Sequence, residues 1–145
     1  MPQGLPLKSQ SLSTKNSRLI LIGEDDIDDQ EFLREIFSSV DKSLELEFAT
    51  NGSKILDYLK QCNDVHLPSL ILLDYNMPER NGAEILNELK VTERYSSIPK
   101  IIWSTSRSQM YRDICLELGA NDYVIKPSKV NDFMEMARYI ISFTK

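Results

Sequence analysis

Two hydrophobic periodicities take turns along this chain, and their alternation leaves few folds open. Leu19-Ile20-Leu21-Ile22 is a continuous apolar run, as a strand buried on both faces requires. Phe32, Leu33, Ile36, Phe37 and Val40 follow on one stripe of a helix. Leu44 to Phe48 alternates with period two, as an edge strand does, and Ile55, Leu56 and Leu59 mark a short helix behind the turn dipeptide Asn51-Gly52. Leu70 to Leu73 is a second fully buried strand, ending at Asp74. The scheme then repeats. Ile85, Leu86 and Leu89 stripe a helix after Asn81-Gly82, and Ile101-Ile102-Trp103 is a strand introduced by Pro99. Met110, Ile114, Cys115 and Leu118 form the next helix face, with Gly119 at its C′ position. Tyr123-Val124-Ile125 is the last strand, and Phe133, Met136, Ala137, Ile140 and Ile141 stripe the final helix.

Five strand–helix pairs predict an α/β fold: a doubly wound parallel sheet covered by helices on both faces, with right-handed crossovers. At 145 residues there is room for one domain, and 41% apolar side chains suffice for its core. Residues 1–17 hold four serines, two prolines, two lysines and no acid, and their leucines lack helical spacing. They are expected to form a flexible N-terminal arm, with the domain spanning 18–145. The longest apolar runs are four residues, far short of a membrane span, and the first residues lack the apolar segment of a secretory signal.

Charge and cysteine usage exclude further classes. The net charge is -5, and without the arm the body is more acidic still, which argues against nucleic acid as a partner. Cys62, Cys115 and the single His66 have no metal-ligand spacing, so zinc fingers, disulfide scaffolds and histidine metal sites drop out. A reducing cytoplasm is the expected setting. His66 reads as an exposed loop residue, and both cysteines as helix residues without an activating environment.

In open parallel sheets ligands bind beyond the carboxyl ends of the strands. The first strand is followed there by Glu24, Asp25 and Asp26; the third ends in Asp74, the fourth in Ser104, and the fifth in Lys126 before Pro127. Helix capping explains part of the acidic run, since Asp28 and Glu31 match a capping box and acids favour a first turn. It leaves Glu24, Asp25 and Asp26 unexplained, although a run of charges is often no more than a solvated face. Asp74 tips the balance, because an ionised group closing a buried apolar run needs a partner. Carboxylates about 5 Å apart repel by roughly 3 kcal/mol at an effective dielectric of 20, so the cluster calls for a cation. All-oxygen ligands favour a hard ion such as Mg²⁺, and a nearby Lys126 ammonium would reach a phosphate. For Lys126 alone a surface position, and for Ser104 alone a backbone contact, are equally ordinary fates. Together the set suits phosphoryl transfer, with Asp74 as nucleophile and Ser104 as a donor to a phosphoryl oxygen.

The segments Leu21-Ile22-Gly23-Glu24-Asp25-Asp26, Leu72-Leu73-Asp74-Tyr75-Asn76-Met77-Pro78, Ile102-Trp103-Ser104 and Tyr123-Val124-Ile125-Lys126-Pro127 occur in this order on the five-fold alternation. With them the chain from about Arg18 to Phe143 resembles the receiver domain of two-component response regulators, the CheY-like family. The resemblance implies a flavodoxin-like five-stranded sheet of order 2-1-3-4-5 with five helices. It implies Asp74 as phospho-acceptor and Mg²⁺ held by Asp25, by Glu24 through water, by Asp74 and by the backbone carbonyl of Asn76. Ser104 corresponds to the switch hydroxyl, Lys126 to the phosphoryl contact, and Tyr123 to the aromatic residue that moves inward on activation. It further implies a histidine kinase or histidine phosphotransfer protein as donor and a downstream protein partner reached by docking or relay, since no output domain follows the last helix.

Two positions depart from the family pattern. Thr105 stands after the switch hydroxyl, where the family usually has a small residue, and is expected to narrow access to Asp74. Trp103 replaces an aliphatic residue and reads as core packing. Phe133, Met134, Met136 and Tyr139 offer either a homodimer surface on the last helix or core and rim. Among rivals, a haloacid-dehalogenase phosphatase uses a similar aspartate but needs a second one where Asn76 stands. A flavodoxin-like FMN carrier needs a phosphate cradle where Glu24-Asp25-Asp26 would repel the anion. An EF-hand needs ligand spacing and a glycine that Asp25 to Gln30 lacks.

Overall fold

The computed structural model describes residues 18–144; the proposed N-terminal arm, residues 1–17, lies outside the described residues. Five strands form one sheet: β1 (Arg18–Gly23), β2 (Leu44–Ala49), β3 (Leu70–Asp74), β4 (Lys100–Ser104) and β5 (Asp122–Ile125). Their order is β2-β1-β3-β4-β5 and every pairing is parallel, as the resemblance implied. The helices between them are α1 (Ile27–Val40), α2 (Gly52–Gln61), α3 (Gly82–Lys90), α4 (Gln109–Glu117) and α5 (Val130–Ile141). Two short 3-10 turns, Asp64–His66 and Glu93–Tyr95, lead into β3 and β4. None of the described helices is long and apolar enough to cross a membrane.

Burial follows position in the sheet. The inner strands β3 and β4 are buried at every residue, because helices cover both of their faces. The edge strand β2 alternates half-buried with exposed, which matches its period-two sequence. Two cores result. Ile20, Ile22, Leu33, Phe37, Leu72, Trp103 and Ala137 pack on the face under α1 and α5. Leu21, Ile55, Leu73, Ile85, Leu89, Ile102 and Cys115 pack on the face under α2, α3 and α4.

Two local expectations need correction, and of the two readings of the last helix burial favours core and rim. The cap of α1 is Asp26, whose carboxylate accepts from Asp29 N at 3.1 Å; Asp28 and Glu31 form no capping box, because β1 ends early enough for the helix to begin at Ile27. The reciprocal box appears instead on α3, between Asn81 and Glu84. On α4, Met110 and Ile114 are exposed at 63% and 38%, and Cys115 is the fully buried residue, flanked by half-buried Tyr111 and Leu118. That helix covers the sheet near its edge and needs only a narrow apolar stripe. On α5, Met136 is buried and Phe133 and Met134 pack against the core, so of the four residues considered for a dimer surface Tyr139 alone is exposed. Its hydroxyl donates to Asp122 Oδ2 at 2.5 Å.

Parallel register sets the site. Gly23 pairs with Leu73, Asp74 with Trp103, and Ser104 with Ile125, so Glu24, Asp74, Ser104 and Lys126 leave the sheet at one rim. Gly82 opens α3 directly beside this rim: a Cβ there would meet Tyr75 Cα at 3.1 Å and Asp74 O at 3.3 Å. Its Asn81-Gly82 turn thus lets the helix start close to the Asp74 backbone.

Candidate functional site

Glu24 follows the last residue of β1 and stays tied to the sheet, its N–H donating to Ala49 O at 2.9 Å. Its side chain is 1% exposed. One carboxylate oxygen accepts from Asp26 N at 3.1 Å, while the other, Oε1, is buried without a hydrogen-bond partner. Asp25 stands beside it and is exposed. Asp74 is 6% exposed at the end of β3, and carboxylate oxygens of Glu24, Asp25 and Asp74 lie within 4.8 Å of one another. At that separation the carboxylates repel one another unless a cation intervenes.

Lys126 leaves β5 beside Ser104, its N–H donating to Ser104 O at 2.8 Å. Its ammonium donates to Asp74 Oδ2 at 2.8 Å and lies 3.6 Å from Glu24 Oε1 and 3.9 Å from Asp29 Oδ2. Burial disfavours the charged amine, but the hydrogen bond and charge of Asp74 outweigh it and raise its pKa above the usual lysine value. Burial, followed by the charge of Asp74, pushes the Glu24 carboxyl up to about 8. One cation thus answers several carboxylates, and Glu24 Oε1 meets it at 3.6 Å without accepting a hydrogen bond. An all-oxygen donor set with an orphaned buried carboxylate atom fits a hard divalent ion.

Ser104 is fully buried, and its Oγ accepts from Ser106 N at 3.0 Å. Thr105, next in the chain, is exposed. Asn76 is exposed as well, and its N–H donates to Asp74 Oδ1 at 2.9 Å, which orients the carboxylate. Tyr123 is 3% exposed, and its hydroxyl donates to Ser106 O at 2.9 Å. The inward swing implied for Tyr123 thus has no outward starting point here; the ring already lies inside, bonded to the loop after Ser104. His66 is exposed, as its loop position suggested.

Two features were not foreseen. The Trp103 ring lies under Lys126, with Nζ 4.3 Å from the ring centroid, and Tyr75 stacks on Tyr111 at 4.7 Å with planes 6° apart. The signal for the first was present in the sequence, as a tryptophan just before a strand-end hydroxyl. Core packing was a sufficient explanation until the neighbouring strand was in place.

A parallel sheet in the order 2-1-3-4-5, with an acid cluster, a buried hydroxyl and an ion-paired lysine on its carboxyl rim, is the architecture of a receiver domain. The family model described as the response regulator receiver domain matches residues 20–138, and the chain belongs to that family. The response regulator Rcp1 of Synechocystis sp. is 30% identical over 129 residues, covering 87% of this chain and 88% of that protein. Among solved structures, the phosphorylated cyanobacterial phytochrome response regulator RcpA has a TM-score of 0.79 at 26% identity, over 88% of this chain and 94% of that one. The Mn²⁺-bound form of Rcp1 has a TM-score of 0.72 at 29% identity, over 87% and 93%. The protein is thus a signalling domain of the two-component type, and the haloacid-dehalogenase alternative finds no support.

Proposed function

We propose that Asp74 is the phospho-acceptor of this receiver domain and that the cluster around it serves the transfer. The observation that carries this reading is the buried Asp74 carboxylate, held at 2.8 Å by Lys126 within 4.8 Å of two further carboxylates. Asp74 attacks phosphorus through a carboxylate oxygen while the bond from phosphorus to the donor's imidazole nitrogen breaks, its electron pair leaving with the ring. Lys126 follows the charge as it moves onto the phosphoryl oxygens. Ser104 Oγ then donates to one of those oxygens, which loosens its contact with Ser106 N and is felt by Tyr123 through Ser106 O. Glu24, Asp25, Asp74 and the Asn76 carbonyl would hold Mg²⁺. That ion, when bound, offsets the charge of the transferring group.

The donor in this reading is a histidine kinase or a histidine phosphotransfer protein, and the output is docking on a downstream protein. The domain acts as a phospho-acceptor rather than as a turnover enzyme, and it works in the cytoplasm. The acidic body and the free Cys62 and Cys115 support that placement. Incubation with Mg²⁺ and acetyl phosphate, followed by intact mass, is expected to give a metal-dependent adduct that Asp74→Asn abolishes. The same adduct in Asp74→Asn would overturn the assignment. Thr105, exposed beside the buried hydroxyl, limits access to Asp74 in this reading. Thr105→Ala should then gain the adduct faster, and equal rates would remove that role.

A further inference from the structure

Trp103 carries a cost that its neighbours on β4 do not. It is 1% exposed, and its indole Nε1–H is buried without a hydrogen-bond partner, an expensive arrangement. An isoleucine such as Ile101 or Ile102 fills a strand position with no such donor. What the indole supplies instead is its face, over which the Lys126 ammonium sits at 4.3 Å from the centroid. Tryptophan holds cations best among the aromatics, and more strongly where water is excluded. The ring is itself braced, since Phe133 of α5 meets it edge-on at 6.5 Å and Phe32 of α1 meets Phe133 at 4.6 Å.

Lysine is long and rich in rotamers, so its tip needs fixing if it is to serve as a point charge. A carboxylate fixes it only while that carboxylate keeps its charge. The negative face of an indole neither titrates nor reacts, so it holds the ammonium in every state of Asp74. We propose that Trp103 is a positioning residue, whose indole face holds the Lys126 ammonium at the acceptor carboxylate before and after the phosphoryl group arrives. The inference rests on the assignment of Asp74 as phospho-acceptor with Lys126 as its phosphoryl contact.

The test compares Trp103→Leu and Trp103→Phe, each alone and combined with Lys126→Gln, in the initial rate of adduct formation with Mg²⁺ and saturating acetyl phosphate. Trp103→Leu is expected to slow the rate about tenfold, and Trp103→Phe, which keeps an aromatic face, less than about threefold. Trp103→Leu should add nothing in the Lys126→Gln background, because the residue acts through that lysine. Equal losses in both backgrounds, or wild-type rates in both Trp103 variants, overturn the proposal. A second measurement needs neither metal nor a folded Trp103 variant. Trp103 is the one tryptophan of the chain, so its emission reports on what lies over its ring. In metal-free protein Lys126→Gln should shift that emission while Lys129→Gln, at an exposed position, should not; an unshifted Lys126→Gln spectrum also overturns the proposal. If Asp74→Asn loses the adduct while both Trp103 variants keep the wild-type rate, this inference alone falls. If Asp74→Asn keeps the adduct, the acceptor assignment falls and takes the inference with it.

Discussion

Lys126 and Lys100 are both withdrawn from solvent, at opposite rims of one sheet, and they are held in opposite ways. Lys100 is 6% exposed at the start of β4, and its ammonium donates to Tyr95 O and Ile98 O, each at 2.8 Å. No carboxylate pairs with it among the described residues. Burial lowers its pKa. Lys126 has carboxylates for partners, and its pKa is raised in spite of burial. Carbonyl dipoles do not change state, so Lys100 braces the turn before β4. Carboxylates can be protonated, bind an ion or, as proposed for Asp74, take up a phosphoryl group, so Lys126 would feel each of these events. The same side chain is structural at one rim and responsive at the other because of what its partners can do.

The contrast breaks most visibly in the phosphorylation rate. Lys126→Met is expected to slow adduct formation with acetyl phosphate about a hundredfold, the scale of losing one preorganised donor. Lys100→Met should stay within about twofold. Comparable losses in both would erase the distinction.

Stability in urea sharpens it next. Lys100→Met should cost about 2 kcal/mol near neutral pH, because it removes a charged donor from two buried carbonyls. Alkaline titration then separates the two lysines by sign. The folded pKa of Lys100 lies below 10.5, so the unfolded chain binds that proton more tightly and this residue's share of stability rises as pH approaches 10.5. The folded pKa of Lys126 lies above 10.5, so its share is whole below that value and is lost as pH climbs through the folded pKa. Urea midpoints of the two methionine variants between about pH 8 and pH 11 should diverge from wild type in opposite directions.

Glu24 provides the third measurement. Its pKa is raised from 4.5 to about 8, so its contribution is fully present below 4.5 and is lost as pH rises through about 8. Metal-free Glu24→Gln should therefore exceed wild type in stability by about 1–2 kcal/mol near pH 9 and by little near pH 4. A constant difference across that range would mean that the carboxyl is not destabilised by its neighbours.

The smallest effects concern the backbone at the same two rims. Glu79, in the loop after β3, has φ 71°, and Gly119, between α4 and β5, has φ 105°. A side chain in the left-handed region is strained, whereas glycine is not. Glu79→Gly should gain roughly 0.5–1 kcal/mol and Gly119→Ala should lose about 1 kcal/mol, both read from urea midpoints. No atom lies within 4 Å of a Cβ placed on Gly119, so its loss would be conformational alone.

Much of the fold was legible because it depends on local pattern. The runs at Leu19 to Ile22 and Leu70 to Leu73 read as strands because a strand covered on both faces must be apolar at every position. The acids after β1 and at the end of β3 stood out because a charge closing such a run needs a partner. Helix faces were less legible. Met110, Tyr111, Ile114 and Cys115 allow more than one stripe, and packing against β5 turned Cys115 inward and left Met110 in solvent. The cap of α1 lies two residues before Asp28, since an acidic run offers several caps and only the end of β1 selects among them.

By itself the sequence determined the alternation of strands and helices, and with it the rim on which Glu24, Asp74, Ser104 and Lys126 emerge. That follows from side-chain periodicity, which each segment carries without its neighbours. Tertiary structure alone decided the pairings across strands. It left Glu24 with a buried oxygen that accepts no hydrogen bond, turned Tyr123 inward onto Ser106 O, and set the Lys126 ammonium over the Trp103 ring. Such contacts join residues from different strands, and their geometry is set by register and by the shape of the packed core.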